Sequence, residues 1–241
     1  MASAQVRSFE SAVFEGQSKE FKEQQEKLEH LQNNKQQEDV PQDDQNHQLI
    51  DEALYEVEYK HPLEHVWTLW YLENDRTKHW KDMLNEITQI DSVETFWSLY
   101  YTIKTPSELK IGCDYSMFKK DIKPMWEDVA NIKGGRWLVT VGKSAKLELD
   151  RIWLDILLMM VGQAFEYSDG ICGAVINIRA KSNKISVWTA NGNSEMAILE
   201  IGQKLKMLLR LQSHNLQYQL HSDAMCKINS CVKSFTPFER K

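Results

Sequence analysis

The stretch ICGAVINIRAKSNKISVWTA, residues 171–190, holds two alternating runs on either side of a short polar turn. In Ile171–Arg179, Cys172, Ala174, Ile176 and Ile178 fall on one side and Asn177 and Arg179 on the other, which is the period of a half-buried strand. Lys184–Ala190 alternates likewise, and Ala180–Asn183 is short enough to join the two as a hairpin. A hairpin pairs antiparallel.

Working outward, Glu148–Phe165 predicts the strongest helix, with Ile152, Trp153, Ile156, Leu157, Met160, Val161, Ala164 and Phe165 on one stripe. Ser194–Arg210 predicts another, with Ile198, Ile201, Leu205 and Leu208 inward. Asp91 and Glu94 resemble a capping box ahead of Val93, Phe96, Trp97 and Tyr100 at helical spacing. His65–Leu72, Arg136–Val141 after the Gly134-Gly135 turn, and Leu216–Leu220 read as further strands. The expected fold is therefore α+β: a single domain with a curved antiparallel β-sheet backed by three α-helices.

That domain is expected over 59–241, behind a disordered acidic Gln/Glu-rich tail over 1–58. Residues 1–60 carry 14 acidic and 6 basic residues, whereas the remainder of the 241-residue chain is slightly basic. Gln17–Gln48 has too few apolar residues to offset the entropy of ordering. All eight tryptophans lie beyond the tail. A net charge of -6 argues against a basic binder of the histone kind. The four cysteines form no CxxC pair, no apolar run precedes a cleavage site, and Ile152–Val161 is too short to span a bilayer. A soluble, reduced, cytoplasmic protein is the expectation, with the nucleus as an alternative compartment.

Catalytic motifs fail on inspection. Gly142-Lys143-Ser144 lacks the P-loop glycine five residues earlier, where Trp137 stands. His61 and His65 flank Pro62 without a third ligand, and Glu127-Asp128, Glu148, Asp150 and Asp155 have no nucleophile or metal set to work with. No enzyme activity, metal or cofactor is expected. What remains is aromatic. Trp80 lies among Asp75, Arg76, Lys78 and Lys81, and Trp126 precedes Glu127-Asp128, so two indoles sit on polar loops where a ligand platform is favoured over core packing. Arg179, Lys181 and Lys184 around the hairpin tip form a basic rim suited to phosphate oxygens, although a solvated hairpin tip would look the same. Together these features suggest a nucleotide with a base to stack and phosphates to neutralise.

From His61 to Lys233, in order, the motifs His61-Pro62-Leu63, Trp67-x-x-Trp70, Phe96-Trp97, Gly112-Cys113-Asp114-Tyr115, Pro124-Met125-Trp126-Glu127-Asp128, Gly134-Gly135-Arg136-Trp137, Cys172-Gly173-Ala174-Val175, Asn177-Ile178-Arg179-Ala180-Lys181 and Ile185-Ser186-Val187-Trp188-Thr189 resemble the eukaryotic translation initiation factor 4E family, the messenger-RNA cap-binding proteins. The resemblance implies that Trp80 and Trp126 sandwich 7-methylguanine, that Glu127 accepts from its N1–H and 2-amino group, that the Trp126 amide reaches O6, and that Trp188 touches the methyl group. It implies Arg179 and Lys184 on the triphosphate, assisted by Arg136, Asn177 and Lys181, with Lys227 near the next nucleotides. Its implied partners are capped messenger RNA, the scaffold factor 4G and 4E-binding repressors carrying Tyr-x-x-x-x-Leu-Φ, with no membrane and a monomer in the initiation complex. The surface matching the protein partners comprises His61, Pro62, Val93, Trp97, Leu154, Asp155 and Leu158, where Asp155 replaces the glutamate common in the family and Tyr101 an asparagine. Ser230 falls where the family carries its regulatory phosphorylation site. Two roles stay open: recruitment of messages to translation, or a paralogue that engages scaffold weakly and represses or sequesters them.

Overall fold

The computed structural model describes residues 60–75, 77–211 and 216–225, with backbone alone at Trp80, Lys81, Ala224 and Met225. The tail over 1–58 lies outside the described residues. Two compact units share what is described: 62–96 with 103–225, and a second holding 60–61 and 97–102. In chain order the elements are β1 (Pro62–Leu72), α1 (Trp80–Met83), β2 (Leu84–Ser92), α2 (Val93–Thr102), β3 (Asp114–Lys119), β4 (Gly135–Gly142), α3 (Lys146–Val161), β5 (Ile171–Asn177), β6 (Ser182–Thr189), α4 (Glu195–Leu208), β7 (Leu216–Leu220) and α5 (His221–Met225).

All seven strands join one curved antiparallel sheet in the order β2-β1-β3-β5-β6-β4-β7. The hairpin that opens the argument is β5–β6, with Asn177 opposite Lys184. Two strands were not anticipated. β3 (DYSMFK) alternates only over Asp114–Met117 before Phe118 breaks the period, and β2 (LNEITQIDS) mixes polar and apolar residues without a steady period.

Register decides which side chains share a face, because residues directly opposite point the same way. Leu69, Met117, Ala174, Val187, Trp137 and Tyr218 lie in line across β1-β3-β5-β6-β4-β7 and make the apolar face. Helix α4 packs on it: the Trp137 indole N–H donates to the Ile198 carbonyl at 3.1 Å, and a Cβ at Gly202 would come within 2.2 Å of the same ring. Helix α3 contributes Leu149, Ile152, Trp153, Ile156, Leu157 and Met160, all buried. At ~1.5–3 kcal/mol for each large apolar side chain removed from water, this stripe is a principal reason the helix docks.

Helix α3 stops at Val161 rather than at Phe165. The Gly162 N–H bonds to the Leu158 carbonyl and the Gln163 N–H to that of Met160, Gln163 adopts φ 52°, and the Ala164 N–H bonds to the Met159 carbonyl. Phe165 is buried beyond that stop. A second correction concerns Cys172. A register shift between Ile171 and Gly173 turns its side chain away from Ala174 and Ile176, into a cluster with Phe118, Val175 and Trp188 on the opposite face.

Candidate functional site

That opposite face is where the polar side chains of the strands gather. Gln219, Arg136, Trp188, Gly173 and Phe118 lie in line near one end of the strands, and Lys184, Asn177, Asp114 and Leu72 in line near the other. Four residues that sequence reasoning assigned separately, Arg136, Asn177, Lys184 and Trp188, are thus brought to one side of the sheet.

The segment between β3 and β4 folds across this face. Ile122, Trp126 and Ala130 pack against the cluster of Phe118, Cys172, Val175 and Trp188. Two side chains build the segment. Asp128 accepts from the Lys123 N–H at 3.0 Å and the Ala130 N–H at 2.9 Å. Asn131, fully buried, donates from Nδ2 to the Lys123 carbonyl at 2.9 Å and the Met125 carbonyl at 2.8 Å. The segment closes at Gly134, which must be glycine, since a Cβ there would lie 1.8 Å from the Thr189 carbonyl oxygen. The result presents Trp126 half-buried with the Arg136 guanidinium 5.8 Å from its ring centroid, and Glu127 exposed. Among the described residues neither the Trp126 nor the Glu127 backbone N–H has an acceptor.

Arg136 is held by Gln219, whose Oε1 accepts from Nε at 3.2 Å and from Nη2 at 2.8 Å, while burial lowers the guanidinium pKa from its ordinary value. Trp188 is buried; its N–H donates to Ser186 Oγ at 3.1 Å, and Phe118 meets it edge-on at 5.4 Å. Behind it lies a residue that the sequence did not flag. His221 is fully buried, its ring 4.2 Å from that of Trp188, and neither ring nitrogen has a hydrogen-bond partner among the described residues. Burial, and then the charge of Arg136, push its pKa down to about 4.

At the other end, Arg179 donates through Nη1 and Nη2 to the two oxygens of Asp114, the second at 2.9 Å, and Asn177 Nδ2 donates to the same carboxylate at 2.8 Å. Hydrogen bonding to Asp114 raises the Arg179 pKa. Asp114 is the second functional residue that sequence reasoning missed as a site residue. A buried carboxylate at a strand start facing Asn177 and Arg179 would have been its signal, had β3 been recognised. Lys181 and Lys184 are exposed and make no ion pair among the described residues. One anchored guanidinium and two ammonium groups without an ion pair among the described residues therefore concentrate positive charge near this hairpin tip.

On the helical side, α3 leaves Leu154 and Asp155 half-buried and Leu158 36% exposed, and the Asp155 carboxylate accepts from Arg151 Nη1 at 2.7 Å. Leu154 and Leu158 thus form a part-exposed stripe rather than a fully covered one. Pro62 and Val93 are exposed in the same unit. In the other unit His61 is exposed, and Trp97 stacks on Tyr101 at 5.6 Å and 23°. The Trp80 side chain, Lys227 and Ser230 lie outside the described residues; the Trp80 backbone opens α1 behind a turn in which Asp75 accepts from the Thr77 N–H and hydroxyl and Lys78 pairs with Glu73 at 3.0 Å.

The family model described as "Eukaryotic initiation factor 4E" matches residues 62–234. The chain is 67% identical over 177 residues to "Eukaryotic translation initiation factor 4E1" of Drosophila melanogaster, covering 73% of this chain and 68% of that protein. It is 46% identical over 178 residues to "Eukaryotic translation initiation factor 4E" of Homo sapiens, covering 73% and 82%. Among solved structures it is similar to Ascaris suum eIF4E-3 in complex with an m2,2,7G cap, with a TM-score of 0.70, 44% identity and coverage of 74% and 98%. It is likewise similar to C. elegans eIF4E-3 with the 4E-binding protein Mextli, with a TM-score of 0.67, 45% identity and coverage of 70% and 97%.

Proposed function

The chain belongs to the eukaryotic initiation factor 4E family, and from that premise we propose that it stacks the 7-methylguanine of capped messenger RNA between Trp126 and Trp80 and carries the message to the initiation machinery through its helical side. Proteins of this family are cap-binding factors and not enzymes. The observation that carries the reading is the β3–β4 segment: an indole held on a built loop beside a carboxylate and two amide N–H groups that have no partner among the described residues. The Ascaris protein's cap complex, at 44% identity over nearly its whole chain, supports it.

The chemistry follows. Methylation at N7 makes the base cationic, so each indole face adds ~0.5–2 kcal/mol, and two faces add about one to three decades of preference over guanine. Glu127 accepting from N1–H and the 2-amino group contributes ~1.5–3 kcal/mol, and adenine cannot supply both donors. The Trp126 amide donates to O6, and Trp188 lies under the methyl group. Lys184, Lys181 and Arg179 take the phosphates, with Arg136 and Asn177 assisting. Leu154, Leu158 and Val93, with Trp97, His61, Pro62 and Asp155, receive a Tyr-x-x-x-x-Leu-Φ helix from scaffold factor 4G or a repressor, a reading supported by the Mextli complex of the C. elegans relative. Ser230 is the proposed phosphorylation site.

The test is tryptophan fluorescence on titration with 7-methyl-GTP and then GTP. Quenching by the methylated nucleotide at concentrations ten or more times lower, abolished in Trp126→Ala, is expected; an equal response to both sinks the reading. One observation favours the repressor paralogue as a second reading: Asp155, one methylene shorter than glutamate, is already engaged by Arg151. Weak capture of a 4G-derived peptide beside strong cap binding would select it.

A further inference from the structure

Asn131 stands three residues beyond the Glu127-Asp128 pair and is not among the expected ligand contacts. It is nonetheless fully buried, and both hydrogen bonds from its Nδ2 go to the carbonyls that precede Trp126, those of Lys123 and Met125. The Met125 carbonyl and the Trp126 N–H belong to one peptide unit. In a planar trans peptide these two groups point in opposite directions. Fixing the carbonyl inward on Asn131 therefore fixes the N–H outward, and that N–H has no acceptor among the described residues.

We propose that Asn131 is a positioning residue for base recognition: by holding the Met125–Trp126 peptide plane it aims the Trp126 amide at O6 of the methylated guanine. The inference rests on the cap reading above and deepens it. Asp128 secures the same segment through the Lys123 and Ala130 amides, so the fold of the loop and the aim of one peptide are held by different side chains. The Met125 carbonyl also accepts from the Asp128 N–H, at a long 3.3 Å, so removing Asn131 leaves that peptide one weak restraint while the Asp128 side chain still holds the loop.

The probe set is 7-methyl-GTP, GTP and 7-methyl-6-thio-GTP, which keeps N1–H and the 2-amino group but replaces O6 with a weak sulfur acceptor. The wild type is expected to bind 7-methyl-GTP about tenfold more tightly than the thio analogue, the worth of one amide hydrogen bond. In Asn131→Ala that ratio falls to near one, while the preference for 7-methyl-GTP over GTP persists. A variant that weakens both methylated ligands equally and keeps their ratio overturns the proposal, because Asn131 then acts on the whole site. So does a wild type indifferent to the sulfur. No binding of 7-methyl-GTP by the wild type would instead overturn the cap reading itself. Should the alanine variant fail to fold, amide exchange on the wild type decides: the Asn131 side-chain protons are expected to be protected without ligand and the Trp126 N–H only with it. Fast exchange at Asn131 in the free protein overturns the inference.

Discussion

On the helix-backed face of the sheet, Trp137 is sealed beneath Gly202, its N–H spent on the Ile198 carbonyl and its ring edge against Tyr218. On the other face Trp126 is half-buried, Arg136 stands over it, and His221 is buried behind Trp188 with neither nitrogen paired among the described residues. The same strands supply both surfaces, with alternate residues going to each. Both faces keep buried polar atoms without a partner among the described residues, Trp67 Nε1 on the first and the two His221 nitrogens on the second, at ~1–3 kcal/mol each. What sets the faces apart is Trp137, sealed under a helix, against Trp126, half-buried on a loop.

That contrast can be broken most directly at Trp137. Trp137→Ala is expected to lose ~3–5 kcal/mol of stability, read as a lower denaturation midpoint, whereas Trp126→Ala shifts the midpoint little and removes cap binding. If the two variants destabilise equally, the division of labour between the faces is wrong.

The next effect in size is pH-dependent and belongs to the loop face. His221 has a folded pKa of about 4, below the ordinary histidine value, so the unfolded chain binds more protons between roughly pH 6.5 and 4. Stability from this group is present above that window and is lost as pH falls through it, by about 3 kcal/mol in all. His221→Phe should flatten the acid limb of a urea-melt series; an unchanged limb would remove His221 as its cause.

Smaller still is Arg179→Lys, which keeps the charge but forfeits the two-oxygen grip on Asp114. Affinity for 7-methyl-GTP should fall about three- to tenfold with the 7-methyl-GTP to GTP ratio unchanged; a changed ratio would place Arg179 at the base rather than the phosphates. Asp155→Glu is expected to alter capture of a Tyr-x-x-x-x-Leu-Φ peptide by about threefold or less, since the pair with Arg151 is part-exposed. A calorimetric change of tenfold would show that the carboxylate's reach controls partner choice.

Where one face was buried and the other not, the sequence alone carried the information. The alternation of 171–190 specified an antiparallel hairpin, and the stripes of α3 and α4 specified docked helices, although Leu208 at the end of the α4 stripe is 46% exposed. Local periodicity needs length to be read, and β3 alternates only over Asp114–Met117 before Phe118 breaks the period, which is why it was silent and Asp114 with it. The bulge at Cys172, the line of Arg136, Trp188 and Gln219 across three strands, the position of His221 behind Trp188 and the grip of Asn131 on the turn before Trp126 were decided by the tertiary structure. Each is a contact between segments distant in sequence or a direction set by a peptide plane, and neither leaves a trace in the order of residue types.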